Sequence, residues 1–186
     1  MKAKAGRAYT WVYIQSPGIV CFFVMVNAVG KKCSEVERAY IAGLFDADGA
    51  IMALIERHKE KRHGFRVRVH IKLTQHDREI LDWVQIKLHS GIVRANRFGT
   101  ERQTFDLHIR DKKQAENVLM LLKSYIRVKH RQARIALDIL RYRVTTEKDL
   151  LHVARLADTL SRFNVRSKNR RKNFASKIQK HLSCND

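Results

Sequence analysis

Acidic residues are scarce in this chain: 18 Asp and Glu stand against 38 Lys and Arg in 186 residues, a formal charge of +20. Solubility alone does not require such an imbalance, which implies a polyanionic partner, above all nucleic acid. Cysteine is also sparse. Cys21, Cys33 and Cys184 are odd in number and far apart, which argues against a disulfide framework or a zinc module. There is one proline, and with 45% hydrophobic residues this argues against wholesale disorder. The apolar stretch Gly18 to Gly30 is too short to span a bilayer, so no membrane partner is expected. With Lys2, Lys4 and Arg7 ahead of it, that stretch imitates a secretory leader. A secreted chain this basic and without paired cysteines is not expected; a natural start at Met25 is the other reading. The length suits one domain with a real core, with or without an appendage.

What is present centres on residues 34 to 49. Ser34 followed three residues later by Glu37 is a capping box, which predicts a helix start. Gly49 is the expected stop, able to take a left-handed conformation. Between them Ala39, Gly43 and Ala47 recur every four residues, forming a strip without bulk that admits another helix closely. Asp46 and Asp48 fall at the partially negative end of this helix, where acids are disfavoured by roughly 0.3–1 kcal/mol each. A compensating group is therefore expected, with a divalent cation the first candidate. The plainer alternative is a polar turn. An EF-hand is excluded, because Ala50 and Arg57 stand where oxygen ligands would be required.

Periodicity orders the rest. Ala50 to Arg57 suits a strand, followed by the basic turn from His58 to Gly64. From Phe65 to Leu73 the odd positions are apolar and the even ones, Arg66, Arg68, His70 and Lys72, are basic. This is a strand with one face in a core and the other offering only cations, suited to phosphates or base edges. A helix with inward Ile80, Leu81, Trp83, Val84 and Leu88 runs from Asp77 to Gly91. Gly91 to Arg97 and Arg102 to Arg110 form a second hairpin, and Asp111 caps a further helix. Helices around Ala133 to Leu140 and from Thr146 to Leu160 complete an α+β domain with helices on one face of four strands. Phe174, Ile178 and Leu182 then suggest a short docked helix in a basic tail. The predicted organisation is an extension over residues 1–33, a domain over 34–165 and a basic segment over 166–186.

The nonapeptide Ile41-Ala42-Gly43-Leu44-Phe45-Asp46-Ala47-Asp48-Gly49 closely resembles the motif that names the LAGLIDADG homing endonucleases, with Ile for the first Leu and Phe for Ile. The resemblance implies the αββαββα fold, with a four-stranded antiparallel DNA-binding sheet and C-terminal helices. A single motif copy implies a homodimer whose motif helices abut through Ala39, Gly43 and Ala47, and hence a pseudo-palindromic double-stranded DNA target. It implies Mg²⁺-dependent phosphodiester hydrolysis, with Mn²⁺ able to substitute, and Asp48 and the Ala47 carbonyl as metal ligands. Asp46 is expected to be structural or a minor contributor. Gln75, in Thr74-Gln75, matches the family's solvent-ordering Gln, and Lys129, in Arg127-Val-Lys-His-Arg-Gln132, its catalytic Lys.

Base reading is then expected from Glu56, Arg66, Arg68, His70, Lys72, Arg94, Asn96, His108 and Arg110, with Arg suited to guanine and Asn to adenine. Lys168, Arg170, Arg171 and Lys172 are expected on phosphates, positioning without specifying sequence. The resemblance places such a protein in a prokaryotic cytoplasm or an organellar matrix. An RNA-binding maturase acting on intron RNA, or a catalytically silent DNA-binding regulator, is the alternative on the same fold.

Overall fold

The computed structural model describes residues 33–61, 63–96, 99, 103–164 and 173–183. The expectations for the first 32 residues, for Cys184 and for Lys168, Arg170, Arg171 and Lys172 lie outside them. Within them the order is α1 (Glu35–Asp48), β1 (Gly49–Arg57), β2 (Phe65–Gln75), α2 (Arg78–Leu88), β3 (Ile92–Asn96), β4 (Thr104–Ile109), α3 (Lys112–Leu122), α4 (His130–Arg141), α5 (Glu147–Asn164) and α6 (Phe174–Leu182). This is the αββαββα order with three further helical elements at its end. Among the described residues no helix is long and apolar enough to cross a membrane.

The helix starts follow from local chemistry. Ser34 Oγ accepts from the Glu37 amide, while Glu37 returns a carboxylate oxygen to the Ser34 amide, so the capping box is complete. Asp77 and Asp111 cap α2 and α3 in the simpler way, each accepting from an amide of the first turn. Two helix ends differ from expectation. α2 stops before Gly91: His89 is its left-handed cap, and Gly91, at φ +91°, opens β3. A side chain at Gly91 would strike Leu107 and the His108 carbonyl. Gly49 is not left-handed either. Its φ of −79° is extended, and the helix passes into β1 without a linker. Glycine is needed there for space, because a Cβ would lie 2.5 Å from the Phe45 carbonyl oxygen.

The four strands form one antiparallel sheet in the order β1-β2-β4-β3, so β2 and β4 are its central strands. One face is apolar. Ile51, Val69, Ile71, Leu73, Leu107 and Ile109 are buried there with Ile41, Ala42 and Phe45 of α1 and with inward residues of α2 to α5. Full burial of such side chains stabilises by roughly 1.5–3 kcal/mol each. A smaller cluster joins α5 and α6. Ile178 packs with Leu150 and Ala154 and reaches Phe65 and Ile55 near the β1–β2 turn. The first amides of α6, at Phe174 and Ala175, donate to Asp158 of α5, which supplies the cap that Asn173 does not. The predicted terminal helix therefore forms and docks.

Candidate active site and nucleic-acid face

α1 carries no basic residue in its last turn, and α4 no acid in its first. The two ends supply each other across more than eighty residues of chain. Asp46 accepts from the amides of Arg127 at 2.7 Å, Val128 at 3.1 Å and Lys129 at 2.9 Å, which place an anion at the start of α4. Lys129 Nζ in turn donates to the Asp46 carbonyl and lies 3.4 Å from that of Ala47, a cation at the end of α1. Both placements match the sign of the helix dipole they meet. Burial alone would raise the Asp46 pKa; the three amides and the Lys129 ammonium outweigh it and hold the carboxyl below its usual range. For Asp46 the compensating groups are the protein's own, in keeping with the structural role expected of it.

Asp48 is different. It is exposed at the very end of α1, and its one described partner is Gln75, whose Nε2 donates to Oδ2 at 2.9 Å. β2 runs on to Gln75, two residues further than its alternation predicts, and this brings the amide to the acid. Asp48, Gln75 and Lys129 are therefore assembled around one helix end. The donor set, a carboxylate with a free oxygen and a peptide carbonyl, is hard and suits Mg²⁺. One chain offers little more than that. Among the described residues no group of three His, Cys, Asp or Glu is placed to hold a metal. The set fits a cation whose remaining ligands are water, substrate phosphate or a second copy's acid. Ala39, Gly43 and Ala47 are all exposed along α1, and among the described residues nothing lies within 4 Å of where a Gly43 side chain would begin. Val36 and Tyr40 on the same helix are 79% and 52% exposed.

The sheet face turned away from the helices carries the even positions of β2 and their register partners. Arg66, Arg68, Lys72 and Arg94 are all there, with Asn96 and His108, and Arg110 follows just beyond β4. It is not the wholly cationic surface that the β2 alternation suggests. His70 is only 6% exposed and holds His108 Nδ1 at 3.0 Å, with the rings stacked. Burial, with the nearby charges of Arg110 and His108 next, pushes the His70 pKa down to about 4, so it is neutral at physiological pH. Arg68 lies 3.9 Å from Glu56. Lys72 donates to Asp106 at 3.2 Å, and Thr74 Oγ1 donates to the other oxygen at 2.6 Å.

Asp106 is the residue that sequence reasoning left out. Among the described residues it is the one acid besides Glu56 at an outward strand position, which was the available signal. At the start of α2, Arg78 pairs with Asp82 at 3.2 Å.

An antiparallel sheet with a cationic outer face, and a helix ending in an exposed acid at its margin, is a known arrangement. The chain superposes with a TM-score of 0.71 and 25% identity on the homing endonuclease I-CvuI in complex with the I-CreI target, in the presence of magnesium with the DNA not cleaved. That match covers 81% of this chain and 94% of the other. The archaeal intron-encoded homing endonuclease I-Vdi141I, complexed with DNA, matches at 0.69 and 20% identity over 81% of this chain and 96% of its own. I-SmaMI, bound to an uncleaved DNA target with calcium, matches at 0.61 and 16% identity over 78% of this chain but 48% of its own. The class is therefore that of the homing-endonuclease fold. The family model described as LAGLIDADG endonuclease matches residues 41–137, more than half of the sequence, and the chain belongs to that family. Among curated proteins the sequence has no match.

Proposed function

We propose that this chain is a site-specific double-strand DNA endonuclease, encoded by an intron and acting as a Mg²⁺-dependent homodimer on a long pseudo-palindromic target. The observation that carries the reading is the assembly of Asp48, Gln75 and Lys129 at the exposed end of α1. A protein that only bound DNA would need none of the three there. A divalent cation, when bound, would activate water and stabilise the leaving 3′ oxygen. Asp48 and the Ala47 carbonyl would hold it, with Mn²⁺ able to replace Mg²⁺. Gln75 fixes the Asp48 rotamer, and its carbonyl oxygen remains to order water. Lys129 spends donors on two α1 carbonyls and keeps a third for charge developing on the phosphate.

The dimer reading rests on the bare strip of α1 and on one ratio: this chain corresponds to about half of I-SmaMI, at 48% of its length. Two copies related by a twofold axis would bring two Asp48 carboxylates together and set two sheets side by side along a duplex. Arg66, Arg68, Lys72, Arg94, Asn96, His108 and Arg110 would face bases or phosphates, with Glu56 at the rim. Lys168, Arg170, Arg171 and Lys172 would grip the backbone.

A screen of long duplexes, with and without Mg²⁺, tests this. The expected result is a discrete cut site that Asp48→Asn abolishes while binding persists. The proposal is overturned if no duplex is cut across a range of salt and metal, or if Asp48→Asn cuts normally.

A further inference from the structure

A protein of formal charge +20 has an evident electrostatic reason to keep acids off the face it offers to a polyanion, yet Asp106 sits near the middle of that face. It is 5% exposed, on central strand β4, directly across from Thr74 on one side and Arg94 on the other. Both oxygens are engaged, one by Thr74 Oγ1 and one by Lys72 Nζ, with His108 Nε2 3.8 Å away. Depth denies this carboxylate a broad contact with DNA. What it does control is Lys72. A lysine on a sheet surface is ordinarily a mobile point charge, good for phosphates and poor for telling bases apart. Here its ammonium is drawn down to a fixed spot, with its rotamer entropy already lost and two N–H groups left over. The same carboxylate offsets one positive charge locally, which weakens the pull on phosphate at this point of the face.

We infer that Asp106 is a positioning residue for DNA specificity, holding Lys72 as a fixed donor to the acceptor edge of one base, guanine O6 and N7 by preference, in each half-site. This rests on the endonuclease reading above. A pinned donor loses energy when the base offers no acceptor, whereas a free lysine swings to the nearest phosphate. Asp106 thus trades general affinity for discrimination.

Selection of bound duplexes from a randomised library, at several salt concentrations, tests the inference on the full-length chain. Wild type, Asp106→Asn, Lys72→Met and the double variant are compared, with a melting curve for each. Asp106→Asn is expected to flatten the preference at a single base-pair position per half-site by about tenfold, equal to about 1.4 kcal/mol. It is also expected to bind unrelated duplex more tightly. Lys72→Met should flatten the same position and the double variant should add nothing further. A profile unchanged by Asp106→Asn, or flattened evenly at every position, overturns the inference.

Should Asp106→Asn not fold, Lys72→Met decides by its salt dependence. A loss confined to one position with the salt slope unchanged supports the inference. A uniform loss with a slope smaller by about one marks Lys72 as a phosphate contact and overturns it. A wild-type chain that selects no duplex at all refutes the endonuclease reading instead, and this inference with it.

Discussion

Asp46 and Asp48 stand two residues apart in one motif, and the structure separates their effects. In Asp46→Ala the start of α4 loses an anion that accepts three amide hydrogen bonds, and Lys129 loses a carboxylate neighbour. A hydrogen bond to a charged group contributes about 1.5–3 kcal/mol, so three set a ceiling of about 5–9. Arg127 and Val128 are exposed, however, so water replaces the carboxylate at two of the three amides. A net loss of about 2–4 kcal/mol remains, or roughly 5–15 °C in melting temperature for a chain of this size. Asp46→Asn, which keeps one acceptor oxygen without the charge, should lose about half of that. Asp48→Asn should change stability by no more than about 0.5 kcal/mol, since its carboxylate is exposed and has a single hydrogen bond. Thermal and urea melts of the three variants, with cleavage assayed alongside, make the comparison. Asp46→Ala melting within 2 °C of wild type (roughly 0.5–1 kcal/mol), or Asp48→Asn falling as far as Asp46→Ala, would refute the reasoning.

A Cβ at Gly43 has nothing within 4 Å among the described residues, so Gly43→Leu should melt no lower than wild type as a protomer. The proposed dimer should dissociate, seen by light scattering as a halved mass, with cleavage lost; an intact dimer counts against the seam. Gly49→Ala places a methyl group against the Phe45 backbone and should cost about 1–3 kcal/mol in a urea melt, whereas a left-handed cap would not predict that steric origin. Buried His70 and half-buried His108 predict an acid sensitivity of defined window. His70, at about 4 when folded against 6.5 ordinarily, favours the neutral form, so its full stability is present above pH 6.5 and declines as pH falls towards 4. Between pH 7 and 5 that amounts to about 2 kcal/mol, and His108, shifted downward mainly by burial, adds in the same direction. His70→Gln should flatten stability over that window; a slope identical to wild type would show that the buried ring is not its source.

The elements were legible where the determining contacts are local. Ser34 with Glu37, Asp111 with Gln114, and the two-residue period of β2 each lie within a few residues, and each appears as read. Depth was not legible. Alternation assigns His70 to the outer face, but β2 is a central strand, and neighbours on both sides bury what an edge strand would expose. The partners of Asp46 were hidden for a different reason: they are amides far along the chain, and an amide leaves no mark in the residue type. Asp106 was hidden by register, because its tie to Lys72 and Thr74 exists only once β4 lies beside β2. The motif resemblance alone pointed to Gln75, as a solvent-ordering residue; its contact with Asp48 was hidden because no local periodicity extends β2 that far.

The split between the two motif acids bears on how such a chain can change over time. On the endonuclease reading proposed above, exchanging one oxygen for nitrogen at Asp48 would silence the scissile chemistry and leave the frame standing. The same exchange at Asp46 would loosen the frame itself. A lineage can therefore pass from cutter to quiet binder in a single step without crossing an unfolded intermediate, and return by the same step.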